Sequence, residues 1–309
     1  MLMKAKKLLF AILIVAFTFN SCIDNRGIYF DNGISLSQLL SGYDLWYVDY
    51  NRTTGNGDIP FVSRAFTLSF FNGTMYANNN IVDVGRTGNG LGIPVGNYGT
   101  FDVFLETFHD IDGRNDFEVE QLSQNRIRIY STSQDVSYLL IGYQRNNFDY
   151  DLLFYDNIEY FLQEYIAWER TNISNAGLPN AFDNEHYLQF TPENITTFYS
   201  SQDPFGTNIA NILWDFVGSY EVFDVQGFVD LKILTLYYDN GDTEDFELSV
   251  INDERISLFH GSSGTTYEFS GRGFLQFLKN RDKTESSVRN SDRKRTKVIR
   301  KQKAKRLQK

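Results

Sequence analysis

The segment DFEVEQLSQNRIRIYSTSQDVSYLLIG, Asp116 to Gly142, aligns without a gap on DFELSVINDERISLFHGSSGTTYEFSG, Asp245 to Gly271. Eight of these 27 positions are identical: Asp116/Asp245, Phe117/Phe246, Glu118/Glu247, Arg126/Arg255, Ile127/Ile256, Ser133/Ser262, Tyr138/Tyr267 and Gly142/Gly271. A second match lies upstream, where LLSGYDLW (39–46) aligns on FLQEYIAW (161–168) and shares Leu40/Leu162, Tyr43/Tyr165 and Trp46/Trp168. The offset grows from 122 to 129 between the two matches, so the second copy carries about seven extra residues. Two colinear matches mark an internal duplication, and they restrict the chain to two similar units in tandem.

Each unit reads as β structure. The 27 Phe and 19 Tyr exceed what a helical protein usually carries and suit pleated, half-buried surfaces. Short alternating runs are broken by turn chemistry: RAFTLSF then Asn72-Gly73, TFDVFLETF then a turn at Asp112-Gly113, KILTLYY then Asn240-Gly241. These dipeptides tolerate the positive φ of tight hairpins. Before the strands, Ile34, Leu36, Leu39 and Leu40 outline a short helix. Phe154, Ile158, Phe161, Tyr165 and Trp168 follow one helix face in copy two, a rhythm that overruns the helix because Tyr165 to Thr171 matches a strand of copy one. Hairpin-linked strands without a βαβ rhythm form antiparallel sheets that must close or stack. The expected fold is mainly β: two tandem antiparallel β-barrel or sandwich domains, each preceded by a short helix.

A helix, a turn and an early-strand Trp ahead of up-and-down strands resembles the lipocalin-like arrangement, which implies a helix closing one barrel end. On that reading Tyr43, Trp46, Tyr165 and Trp168 serve either as core plugs or as the lining of a site for a small apolar ligand. At whole-chain level, YDLWYVDYNRT, ANNNIVDVGRTGNGLG and GYQRNNFDYDLLFYDNIEYFLQEY resemble a family of uncharacterised lipoproteins from Bacteroidetes, chiefly flavobacteria. Members are often labelled nicotinic acid mononucleotide adenylyltransferase, which would make the chain an enzyme on a β scaffold.

The N-terminus reads as an export signal. Lys4, Lys6 and Lys7 precede an apolar run from Leu8 to Phe19, and FNSC follows. Cys22 is the one cysteine of the chain, and FNSC resembles a bacterial lipobox, which implies Cys22 as the lipid-bearing residue. The expected organisation is a signal peptide at 1–21, a lipid-anchored linker at 22–33, β-domain 1 at 34–148, helix plus β-domain 2 at 149–278, and a disordered basic tail at 279–309. The expected location is the outer membrane, through acyl chains, facing either the periplasm or the surface. From Cys22 to Leu278 there are 12 basic and 36 acidic residues, whereas Lys279 to Lys309 holds 14 basic and 3 acidic. Such a tail suits anionic envelope phosphates or the acidic body itself; nucleic acid is not expected, because the tail lacks stacking aromatics. Other partners open to the body are a small apolar ligand or another envelope protein.

No catalytic motif emerges. GRTGNGLG (85–92) has no Walker lysine, is followed by a β-run instead of a helix, and places Ile93 where a dinucleotide fingerprint needs glycine. It reads as a connection between strands, with a ligand-gating lip at a barrel mouth as the alternative. The H-x-G-H-like motif that the family label implies is missing, for His109, His186 and His260 are scattered. No G-x-S-x-G elbow or H-E-x-x-H helix is present either. The acidic turn HDIDGRND, with Asp110, Asp112 and Asp116, offers oxygen ligands of the kind Ca²⁺ takes, but Asp also favours hairpin turns, and Arg114 stands where a third ligand would fall.

Overall fold

A computed structural model describes residues 30, 33–191, 196–275, 295–303 and 307. The export segment and Cys22 lie outside the described residues. Strands β1 (Leu45–Gly55), β2 (Thr67–Phe71), β3 (Thr74–Asn78), β4 (Ile93–Phe101), β5 (Phe104–His109), β6 (Gly113–Ser123), β7 (Arg126–Ser131) and β8 (Val136–Tyr143) each pair antiparallel with the next, and β8 returns to β1. The second set comprises β9 (Tyr165–Asn175), β10 (Tyr187–Phe190), β11 (Thr197–Ser201), β12 (Phe216–Val225), β13 (Phe228–Tyr238), β14 (Thr243–Asn252), β15 (Arg255–His260) and β16 (Thr265–Phe274). It closes through β9 with β16 and β11 with β12. Closure satisfies the edge groups that an open antiparallel sheet would expose. The fold is therefore two eight-stranded antiparallel barrels in tandem, as the duplication requires.

Among the described residues four short helices accompany the barrels: α1 (Leu36–Ser41), α2 (Pro60–Ser63), α3 (Tyr150–Asp156) and α4 (Ile158–Leu162). Ser35 and Gln38 form a capping box that starts α1, and its apolar residues Leu36, Leu39 and Leu40 are buried in barrel 1. The turn chemistry holds at the β2–β3 hairpin, where Asn72 and Gly73 both take positive φ (48° and 79°).

The identities shared by the two copies build one device twice. Trp46 pairs across the sheet with Gly142, and Trp168 with Gly271. The Trp46 indole N–H donates to Leu40 O at 3.0 Å, and that of Trp168 to Leu162 O at 2.8 Å. Tyr43 and Tyr165 meet these indoles edge-on, each at 4.9 Å, and donate their hydroxyls to Gln124 O and Asp253 O. Each tyrosine ring lies across the glycine. A methyl group added at Gly142 would stand 2.6 Å from the Tyr43 ring, and one at Gly271 2.5 Å from that of Tyr165. Gly142→Ala and Gly271→Ala are therefore each expected to destabilise the protein by about 1–3 kcal/mol through overpacking, read as a lowered Tm, with the fold retained.

Both interiors are occupied by side chains. Barrel 1 is filled by residues such as Trp46, Phe70, Met75, Phe117, Ile129 and Tyr138, and barrel 2 by Trp168, Phe190, Phe198, Leu234, Phe246 and Tyr267. The barrels also share apolar packing. Leu45, Tyr47 and Phe66 of barrel 1, with Ile81, Val82 and Val84 of its β3–β4 connection, join one continuous core with α3, α4 and barrel 2.

Candidate functional site

The closed ends leave little for a ligand. Trp46 and Trp168 are fully buried with their indole donors bonded, and Tyr43 and Tyr165 are packed over glycine. None of the four lines either of the two cavities described below. The structure thus places these aromatics as core plugs, the packing alternative of the sequence reading.

The opposite ends carry lids contributed by the β1–β2 and β9–β10 connections. In barrel 1 the lid is α2: Phe61 stacks on His109 at 4.9 Å, and the Tyr138 hydroxyl accepts the Ile59 N–H at 2.8 Å. In barrel 2 the lid is a 3-10 turn, Ala181–Asn184, that drives fully buried Phe182 against Phe246 and Tyr267. The Tyr267 hydroxyl accepts from the Asn180 amide at 2.8 Å and donates to Asp183 at 2.7 Å. The repeated pair Tyr138/Tyr267 therefore latches both lids.

A polar cluster adjoins the second lid. Glu185 is buried and accepts the Tyr238 hydroxyl at 3.0 and 2.8 Å. Burial pushes its carboxyl up to about 7; the hydroxyls of Ser200 and Tyr238 oppose the rise, the Glu244 charge adds to it, and Arg170 opposes it. Arg170 is itself buried beneath Phe205 and Tyr267, with its guanidinium 5.5 and 5.7 Å from their ring centres, and desolvation pulls its pKa down. The His260 ring lies 2.7 Å from a Glu244 oxygen and meets Ser263 through its other nitrogen at 2.9 Å.

The seam between barrels holds the remaining chemistry. Glu164 is fully buried between α4 and β9. Its carboxylate accepts the backbone N–H groups of Ile81 and Val82, both at 2.8 Å, and the Asn80 amide at 3.2 Å. A charged acceptor on two backbone donors is among the stronger hydrogen-bonding arrangements. It holds the β3–β4 connection of barrel 1 against domain 2. Arg86, at the start of the glycine loop, continues the contact to Asp253 at 2.6 Å.

The glycine loop itself is a turn and not a phosphate cradle. Gly88 and Asn89 both lie in the left-handed region, and the loop is tied down where Arg145 donates to Asn89 O at 2.7 Å. It forms one lip of an open groove of about 710 Å³ lined by Asp44, Gly85, Asn89, Gln144, Arg145, Asn146 and Tyr150. The loop is thus a connection between β3 and β4, the first of the two sequence readings, and it borders a groove. A volume of this size is in the range of ligand sites, while the side chains presented are mainly hydrogen-bonding.

The acidic turn does not assemble a metal site. Asp116 pairs with Arg114 at 2.9 Å, Asp112 lies 3.3 Å from the His109 ring, and Asp110 is exposed. Among the described residues no group of three or more His, Cys, Asp or Glu could hold a metal ion. These carboxylates are held by their own neighbours on a hairpin, the turn reading that the sequence offered beside Ca²⁺.

The basic tail is also corrected over its described part. Residues 295–303 lie across the seam, and Gln302–Lys303 form β17, which adds in parallel to β12. The physical reason is the opposite charge of the body, supplied here by Glu159 and Asp224. A second, small cavity of about 30 Å³ remains beside Arg295, bordered by Tyr50, Asn157, Glu159 and Gln163.

Sequence reasoning did not single out Glu164, Glu185, Arg170, Arg295 or Arg300. A signal existed for Glu164. It aligns with Gly42 of copy one, and a charged residue replacing glycine inside an otherwise preserved repeat marks a role that only one copy has. No protein-family model matches the chain, and no curated protein matches it.

Proposed function

We propose that this chain is an exported lipoprotein, anchored through Cys22 in the outer membrane, that acts as a binding and scaffolding module of the cell envelope. Its two barrels form the rigid body, and partners are met on the seam between them instead of inside either barrel. The observation that supports this reading best is the filling of both interiors by the barrels' own strands, plug helices and lids. Where the interior is full, the polar groove beside the glycine loop is the more accessible surface for recognition.

The enzyme reading suggested by the family label draws less support. Its best candidate, the Glu185 carboxyl near neutrality, is buried with Tyr238 as its hydrogen-bond partner. A buried acid of that kind serves equally well as a lid latch.

The test is purification of the full chain from its own host's envelope with a photo-crosslinking residue at Asn89, followed by native mass spectrometry. The expected result is an acyl mass on Cys22, absent in Cys22→Ala, and a crosslinked envelope protein. A reproducible small apolar molecule released only on unfolding would overturn the seam reading in favour of an enclosed ligand. Recovery of Cys22 without an acyl group would overturn the anchor.

A further inference from the structure

The tail does more than neutralise charge: its side chains fill a groove with the specificity of a ligand. Arg295 is buried with its guanidinium 4.3 Å from the Phe66 ring centre. It donates to Val48 O at 2.9 Å and Ala65 O at 2.5 Å in domain 1, and to Asn157 Oδ1 at 3.1 Å between α3 and α4. One planar donor thereby touches both halves of the molecule, a use to which the five fixed N–H groups of arginine are suited. Lys297 donates to Thr53 O.

Five residues on from Arg295, Arg300 makes a two-pronged pair with buried Glu159 at 2.8 and 2.7 Å and donates to Asp156 O at 2.9 Å. Burial alone would lower its pKa, but the hydrogen bond and charge of Glu159 outweigh this and raise it. The main chain then joins the sheet. Asp224 N–H donates to Lys301 O and Gln226 N–H to Lys303 O, both at 3.1 Å, along the half of β12 that β11 does not cover. Lys303 finishes the run 3.3 Å from Asp245 and 4.3 Å from the Phe223 ring centre.

Two arginine pockets at fixed spacing, a row of carboxylates and an open strand edge are the components by which sheet proteins recognise extended peptides. We propose that this groove is a receptor site for extended basic segments of the pattern Arg-x-Lys-x-x-Arg-Lys-x-Lys, with the chain's own residues 295–303 as its displaceable occupant. A partner presenting such a segment would exchange with the tail. This goes beyond the reading above: the tail groove shares no lining residue with the groove beside the glycine loop.

The test uses the full chain and a fluorescent peptide of residues 295–303. Wild type, whose groove is filled from within, should bind it at least tenfold more weakly than Arg295→Ala/Arg300→Ala, whose tail no longer competes. Adding Glu159→Gln to that variant should remove the gain, and a scrambled peptide of the same composition should bind at least tenfold more weakly. Equal binding to wild type and variant, equal binding of the scrambled peptide, or no binding by a variant with the near-UV circular dichroism of wild type each overturns the proposal. Should the double variant lose that spectrum, Arg300→Ala alone takes its place, and no gain over wild type then overturns the proposal. The assay needs no envelope partner, so its outcome is independent of the crosslinking experiment at Asn89.

Discussion

Trp168→Ala is expected to lower the unfolding free energy by about 3–5 kcal/mol, and Trp46→Ala by a similar amount. Both indoles are fully buried, both donate to the last turn of a plug helix, and each stands opposite a glycine roofed by a tyrosine. Truncation removes the largest side chain of the barrel end, leaves Leu40 O or Leu162 O without its donor, and deprives Tyr43 or Tyr165 of its edge contact. In barrel 2 the loss extends to Phe161, whose ring lies 5.4 Å from Trp168 and packs on Phe154. Urea unfolding followed by far-UV circular dichroism supplies the measurement. A cost below about 1 kcal/mol for either substitution would show that the barrel end has room to spare, and would restore these aromatics as candidates for a ligand wall.

The equivalence of those two plugs also shows what the sequence carried. The eight identities between copies fall on β6 to β8 and β14 to β16 in register, and the upstream match places Trp46 and Trp168 opposite Gly142 and Gly271. The plugs were legible because the same residues recur at matching places in both copies; the lids, which lie on the β1–β2 and β9–β10 connections, were not. The second helix also ended where the strand match said it should, with β9 starting at Tyr165.

The seam was not legible in that way. Glu164 meets the backbone of Ile81 and Val82 from more than 80 positions away, and Arg295 reaches Val48 across 247. Each of these contacts joins one copy to the other or to the tail and occurs once, so neither the repeat nor strand periodicity marks it. Charge did leave a trace. The opposition between a body rich in acids and a tail rich in bases pointed to docking as one outcome, but not to a strand edge with arginine pockets. The acidic turn at Asp110 to Asp116 was open to two readings for the reverse reason: a composition typical of metal loops is equally typical of hairpins, and only geometry separates them.

Glu185→Gln is expected to stabilise the protein at pH 8 by up to about 3 kcal/mol relative to wild type, and to change it little at pH 5. The sign follows from the direction of the shift. A carboxyl raised from 4.5 to about 7 by burial is held protonated in the folded state at pH values where the unfolded chain has released the proton. Folding therefore binds a proton, and this contribution is fully present below about pH 4.5 and lost as pH rises through 7. Glutamine preserves the shape and still accepts from Tyr238, but it has no charge to bury beside Glu244, so its stability lacks that loss. The groups facing the site, Arg170, Ser200, Tyr238 and Glu244, stay in place in the variant, so the difference between the two pH profiles isolates Glu185. Denaturation of both proteins from pH 5 to 9 makes the comparison. A difference that does not grow between pH 5 and 8 would mean that Glu185 is already ionised in the folded state near neutrality, held by Arg170 across the cluster. A growing difference would mean that the lid over barrel 2 loosens as pH rises, and amide exchange at Phe182 and Glu185 should then quicken over the same interval, while exchange at the α2 lid of barrel 1 stays unchanged apart from its intrinsic pH dependence.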